Sequence, residues 1–137
     1  GAVIARKELA QAVRREAVLL GPLLDPHAAF LVMRGMKTYY LRYEAQAASA
    51  LRIAQFLAEH PAVARVHYPG LPDHPRHALA RVQMREFGSI VSFDLARGAD
   101  AVRPFVASLE FFAITPSLGS VESLVMPPQL LKVRGLG

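Results

Sequence analysis

The sequence predicts an α+β domain in which a long helix precedes alternating strands and helices. Between residues 38 and 59, apolar side chains recur every three or four positions, which is the spacing of one helix face. After residue 60, segments that alternate apolar and polar residues are separated by helical segments, in the order β-α-β-α-β. We therefore expect a sheet with one face against helices and a more polar opposite face.

Three helices are predicted in the first part of the chain. The first covers residues 7–20 and is stopped by Gly21-Pro22. The second follows Asp25-Pro26, because aspartate caps free N–H groups and proline is tolerated in a first turn. The third covers residues 38–59, and a short apolar run at residues 2–5 is expected to form a strand.

Three strands and two short helices are predicted after the long helix. The strands are expected at residues 64–68, 88–95 and 111–115. One helix is expected at residues 76–85, and another is expected to begin with Asp100 as its cap.

The composition indicates a folded chain and excludes several kinds of site. Of the 137 residues, 53% are hydrophobic, which is enough for a real core. There is no cysteine, so a disulfide framework, a cysteine zinc site and a thiol nucleophile are excluded. No apolar run approaches the roughly 20 residues that cross a bilayer, and no signal-peptide pattern opens the chain. We expect a cytoplasmic protein without a membrane partner.

The positive charge does not form a nucleic-acid-binding pattern. The net charge is +5, and 13 of the 16 basic residues are arginine. The arginines are scattered and do not form a basic helix face or a basic strand interleaved with aromatics. We therefore expect no nucleic-acid partner.

The segment Ser117-Leu118-Gly119-Ser120-Val121-Glu122-Ser123-Leu124 is the most informative stretch of the chain. It follows the third predicted strand, and strand ends are where α/β proteins place ligands. Ser117 and Ser123 would be nucleophiles only beside a base, which the pattern does not supply. Glu122 is the nearby carboxylate, and we expect it to pair with an arginine.

Neither a metal site nor a cofactor lysine is predicted. His74 and His77 have an H-x-x-H spacing, but zinc needs further ligands and only Asp73 is near in sequence. A lysine that forms an imine needs a desolvated setting. The lysines instead lie at predicted helix ends or in the C-terminal tail: Lys7, Lys37 and Lys132.

Several segments occur together in the order and approximate spacing of one enzyme family. They are Leu24–Ala29, Arg34–Thr38 with Leu41–Arg42, His60–Val63, Val66–Leu71, Gln83–Met84 with Phe87–Gly88 and Ser92–Phe93, and Ser117–Leu124. In this colinear set the chain resembles the Cys/Met-metabolism family of pyridoxal-phosphate (PLP) enzymes. That family includes cystathionine γ-synthase and γ-lyase, methionine γ-lyase and O-acetylhomoserine sulfhydrylase.

The resemblance implies a C-terminal fragment of a fold-type I PLP enzyme that starts just after the cofactor lysine. Residues 1–37 would be the tail of the large PLP-binding domain. Residues 38–137 would be the small C-terminal domain, incomplete at its end, with a mainly antiparallel sheet covered by helices on one face. The fragment itself would contain no catalytic residue, bind no PLP and be inactive.

The resemblance also implies the chemistry of the intact parent. It would be a C–S lyase or a γ-replacement transferase acting on homoserine-, cysteine- or methionine-type amino acids, with PLP as the electron sink. It would form a homo-oligomer, which is a tetramer in the family.

Site residues are implied for the segment that follows the third predicted strand. Ser117 matches the serine whose backbone and hydroxyl lie beside the cofactor and the substrate carboxylate, and Leu118 and Gly119 continue that contact. Pro116 occupies a position that varies with substrate in the family.

The chain departs from the family pattern at three places, which are Pro116, Ser120 and Met126–Pro128. Ser120 replaces the usual second glycine, and Met126–Pro128 stands where a His-Pro-containing run is common. Arg134 lies too close to Ser117 to match the arginine that clamps the substrate carboxylate, so that arginine is not assigned. These departures leave the particular reaction open.

A freestanding α+β binding or regulatory module remains the alternative hypothesis. In that case Ser117–Leu124 would be a structural turn. A Ser-x-Thr-Lys pattern shortly before Gly1 would favour the enzyme.

Overall fold

The first helix has the limits that its end residues dictate. In the computed structural model, which describes residues 3–128, helix α1 spans Lys7–Leu20. Gly21 ends it in the left-handed conformation, with φ 84°, and its N–H donates to the Ala17 carbonyl at 3.0 Å. The helix is therefore confirmed. The described residues of the strand predicted at 2–5 form no strand.

The second helix, α2, spans Pro26–Met36. Asp25 caps it through Oδ1, which accepts hydrogen bonds from the N–H groups of His27 at 2.9 Å and Ala28 at 3.1 Å. The predicted start is thus confirmed. These two helices belong to a first compact unit, and a second unit begins at Tyr40.

The remaining elements follow in the order helix, strand, helix, strand, helix, strand, strand. They are α3 at Tyr39–Glu59, β1 at Val63–His67, α4 at His77–Gln83, β2 at Ser92–Leu95, α5 at Val102–Ala107, β3 at Ala113–Ile114 and β4 at Leu124–Val125. In this second unit a buried core forms where α3 meets the segment after β1. Ala50, Ala54 and Tyr68 are its buried residues, and Tyr68 has no exposed surface. The alanines of α3 leave room for the aromatic ring.

The strands form two separate pairs. Strands β1 and β2 are antiparallel, with Val66 opposite Phe93. Strands β3 and β4 are parallel, with Ala113 opposite Leu124. The α+β class is confirmed, but the described residues 3–128 form two two-stranded sheets where the family resemblance implies a single, mainly antiparallel one.

Three predicted element ends are wrong. Strand β2 begins at Ser92 and not at Gly88. Asp100 does not cap a helix, because it lies inside the 3₁₀ turn Ala99–Ala101 and Gly98 precedes that turn. The third strand is shorter than predicted because its only ladder partner in the described chain, β4, is itself two residues long.

Within residues 3–128, no helix has the length and hydrophobicity needed to cross a membrane.

Candidate functional site

The loop between the parallel strands β3 and β4 carries the predicted site residues. It covers residues 115–123 and contains no helix. Parallel strands are usually joined by a crossover of a dozen or more residues, so this short link must double back on itself. The N–H of Ala113 donates to the carbonyl oxygen of Ser123 at 2.9 Å and closes the base of the loop.

Gly119 forms a tight turn within this loop. Its φ is +73°, and a Cβ atom added there would meet no atom within 4 Å. The backbone conformation therefore favours glycine, and the open side lets another molecule approach the main chain. Pro116, Ser117 and Leu118 are exposed as well.

Ser117 lies in the loop, because strand β3 ends at Ile114. Its side chain is exposed, which leaves it accessible to a ligand.

A long-range hydrogen bond holds the loop to helix α3. The Gln46 Nε2 donates to the carbonyl oxygen of Ser120 at 2.8 Å, across 74 residues of sequence. Sequence reasoning missed this residue because no local motif includes it. The only local signal is its place beside Ala47, on the edge of the buried alanine stripe of α3.

The side chains of Ser120 and Glu122 interact more weakly than Gln46 and Ser120 do. The Ser120 Oγ is inaccessible and forms no hydrogen bond of ordinary geometry within the described part of the chain. The Ser120 hydroxyl nevertheless stabilises the charged form of Glu122 and so lowers its pKa. Backbone N–H groups lower this pKa as well. We interpret this as a polar contact too long or too bent for a full hydrogen bond. Within residues 3–128, these groups and not the expected arginine account for the lowered pKa.

The two histidines with H-x-x-H spacing have structural contacts. The Nδ1 atom of His77 lies 2.8 Å from the Pro69 carbonyl oxygen, and the Nδ1 of His74 accepts a hydrogen bond from the Arg76 N–H at 3.2 Å. No group of three or more metal-binding side chains occurs among the residues that the structure describes.

The described residues fit one part of a PLP site. Lys7 and Lys37 are exposed, whereas a lysine that holds PLP needs a desolvated setting, so neither fits that role. The turn at Gly119 is compatible with such a site only in that its open side would admit a ligand. Lys132 and Arg134 lie outside the described residues.

Comparison with known proteins gives a consistent match over almost the whole chain. The sequence model for the Cys/Met metabolism PLP-dependent enzymes matches residues 1–136. Cystathionine γ-synthase 1, chloroplastic, from Arabidopsis thaliana is 42% identical over 131 residues, which are 96% of this chain and 23% of that protein. Cystathionine β-lyase from Lactococcus lactis subsp. cremoris is 44% identical over 91% of this chain and 33% of its own length.

Solved structures agree with these relatives. The cystathionine γ-synthase of Xanthomonas oryzae pv. oryzae in complex with cystathionine matches with a TM-score of 0.86 and 41% identity, covering 93% of this chain and 33% of that one. A methionine γ-lyase from Micromonospora echinospora matches with a TM-score of 0.85 and 39% identity, covering 94% and 35%. The chain thus spans between about a quarter and a third of the length of the proteins that it matches.

Proposed function

Since this chain belongs to the Cys/Met-metabolism family of PLP-dependent enzymes, we propose that it is the C-terminal part of an enzyme that makes or breaks C–S bonds. Its substrates would be homoserine-, cysteine- or methionine-type amino acids. In this proposal residues 1–37 end the large cofactor domain, and residues 38–137 belong to the small domain. The names of the relatives, which are cystathionine synthases and lyases and methionine lyases, support this class of reaction.

The turn at Ser117–Gly119 is the observation that carries the proposal. It is exposed, it is held at its base by β3 and β4, and its glycine leaves one side of the main chain open. A carboxylate could accept hydrogen bonds from the Ser117 hydroxyl and from backbone N–H groups of this turn. These residues would bind and orient the amino-acid substrate by its carboxylate, which positions the rest of the molecule for reaction.

PLP, when bound, supplies an electron sink for the carbon atoms next to the amino group. Ser117, Leu118 and Gly119 would lie beside it on the side of the substrate carboxylate. Pro116, which precedes them and is also exposed, would influence which amino acid is accepted.

The proposed parent is a cytoplasmic homo-oligomer, with a tetramer as the family precedent, and has no nucleic-acid or membrane partner. Exposed apolar side chains on α2 support an oligomer: Phe30, Leu31 and Met33 are 59%, 49% and 66% exposed. Such patches are typical of surfaces that another subunit or domain covers.

The test is to purify the intact protein that carries this segment and to measure PLP content and C–S chemistry together. We expect bound PLP, with either cleavage of cystathionine or methionine or formation of a thioether from an activated homoserine and cysteine. The 137-residue chain alone is the matched control and should show neither. An intact protein without PLP, or with PLP but without any reaction at a C–S bond, would contradict the proposal and favour the binding module.

A further inference from the structure

The loop that carries Ser117–Gly119 has two attachments of different kinds. At its base, β3 and β4 pair and the Ala113 N–H bonds to Ser123. Next to the turn itself, the Gln46 Nε2 bonds to the Ser120 carbonyl oxygen at 2.8 Å. This second bond therefore acts one residue from Gly119.

Ser120 is the point at which the loop turns inward. Leu118 and Val121, which lie on either side of it in the loop, are 79% and 77% exposed, whereas the Ser120 Oγ is buried. The loop thus has a half-buried residue between exposed ones. The Gln46 contact acts at that residue, where an anchor would limit movement of the exposed turn most.

Gln46 is well placed to be a fixed anchor. It lies on α3, a helix of 21 residues, and the following residue, Ala47, is 2% exposed. Ala50 and Ala54 of the same helix are buried in the core with Tyr68. Because the helix is held by this core, an amide donor on it gives the loop a stable reference point.

We propose that Gln46 is a positioning residue for substrate binding, which holds the Ser117–Gly119 turn in place through the Ser120 carbonyl. The proposal rests on the proposed function, because it assigns the turn to the substrate carboxylate. Gln46 itself touches neither substrate nor cofactor in this account. Its effect should appear in KM and not in kcat, because a displaced turn weakens binding equally in the ground state and the transition state.

The first test measures movement of the turn directly. This chain has no cysteine, so in the intact protein, with any cysteines outside this segment replaced by serine, Leu118→Cys provides a single attachment point for a spin label. In this background Gln46→Leu should narrow the spectral lines of the label, because the turn gains mobility. Gln46→His should restore the broader lines, since imidazole Nε2 is as many bonds from Cα as the glutamine amide nitrogen. Gln55→Leu, an exposed position on the same helix, is the matched control and should change nothing.

The second test uses the intact PLP enzyme without the label. Gln46→Leu should raise KM for the amino-acid substrate about five-fold, the effect of about one lost hydrogen bond, with kcat nearly unchanged. Gln46→His should recover most of that loss. If Gln46→Leu fails to fold, Gln46→Glu has the same length, lacks the donor and should give the same result.

Unchanged label mobility in Gln46→Leu would overturn the proposal, and so would an unchanged KM in that variant. A change in kcat alone would also overturn it. If the wild-type intact protein carries out no PLP chemistry, the proposed function fails. The label spectra would then still decide whether Gln46 holds the turn.

Discussion

The Tyr68 hydroxyl donates a hydrogen bond to the Gly88 carbonyl oxygen at 2.9 Å from a ring that has no exposed surface. This bond joins the residue after β1 to the segment that leads into β2, at the centre of the second unit. Burial raises the pKa of the Tyr68 hydroxyl, and the nearby Tyr43 and Glu86 raise it further.

Replacing Tyr68 by phenylalanine should lower the free energy of unfolding at neutral pH by about 1 kcal/mol, the usual net value of one hydrogen bond. The pH dependence should change too. Because the folded state keeps this phenol neutral above its ordinary pKa of 10.0, the unfolded chain loses the proton first. Stability should therefore hold below about pH 10 and fall above it, and Tyr68→Phe should show a smaller fall.

Denaturant titrations followed by circular dichroism at neutral and alkaline pH would measure both effects. Val82→Ala, at a position that is 85% exposed, is the control. If Tyr68→Phe and the wild type lost the same unfolding free energy at alkaline pH, the raised pKa of Tyr68 would be contradicted.

Gly70 should not tolerate alanine. An added Cβ would lie 2.5 Å from Tyr68 Cε1 and 2.9 Å from Phe87 Cδ2, and the buried Tyr68 ring has little room to move. We expect Gly70→Ala to cost about 1–3 kcal/mol of unfolding free energy, as overpacking does. Gly35→Ala is the control, since its Cβ would meet nothing within 4 Å and alanine favours a helix. Similar thermal unfolding midpoints for the two variants would show that the core around Tyr68 has room for the added methyl group.

Gly119 and Gly21 form a matched pair for the candidate site. Both have positive φ, 73° and 84°, and neither has an atom within 4 Å of an added Cβ. Alanine at either position should cost about 1 kcal/mol of backbone strain. In the intact enzyme only Gly119→Ala should lower kcat/KM, by about ten-fold or more, because the new methyl group obstructs the ligand side of the turn. Equal activity of the two variants would contradict a role for this turn.

The predictability of the elements depended on the range of the interactions that fix them. Helices α1 and α2 follow from local signals, Gly21-Pro22 and Asp25-Pro26, and both were predicted closely. The parallel pairing of β3 with β4 could not be predicted. Strand β4 is only two residues long, and it is a strand only because it pairs with β3.

The candidate site shows the same division. The turn at Gly119 could be predicted from the local run of serine and glycine, and its φ agrees. The Gln46–Ser120 bond could not, because it joins residues 74 positions apart and depends on how α3 packs. The roles of Pro116, Ser117, Leu118 and Gly119 in substrate binding remain predictions.

The exposed apolar side chains of α2 predict self-association of the 137-residue chain. Replacing Leu31 by glutamate should shift the chain towards monomer in light scattering, because a charge opposes burial of the patch. Val82→Glu, on α4, is the control and should leave the mass unchanged. A strictly monomeric wild-type chain at high concentration, with no binding of an apolar dye, would contradict this prediction.

The most direct test of the central claim is a titration of the intact protein with its amino-acid substrate, followed by the absorbance of bound PLP. We expect a saturable change whose apparent Kd rises about ten-fold in Ser117→Ala, the effect of a lost hydrogen bond to a charged carboxylate. It should be unchanged in Ser89→Ala, which removes another exposed hydroxyl elsewhere in the chain. Absence of a PLP signal, or the same Kd for both variants, would contradict the claim that this segment binds the substrate of a PLP enzyme.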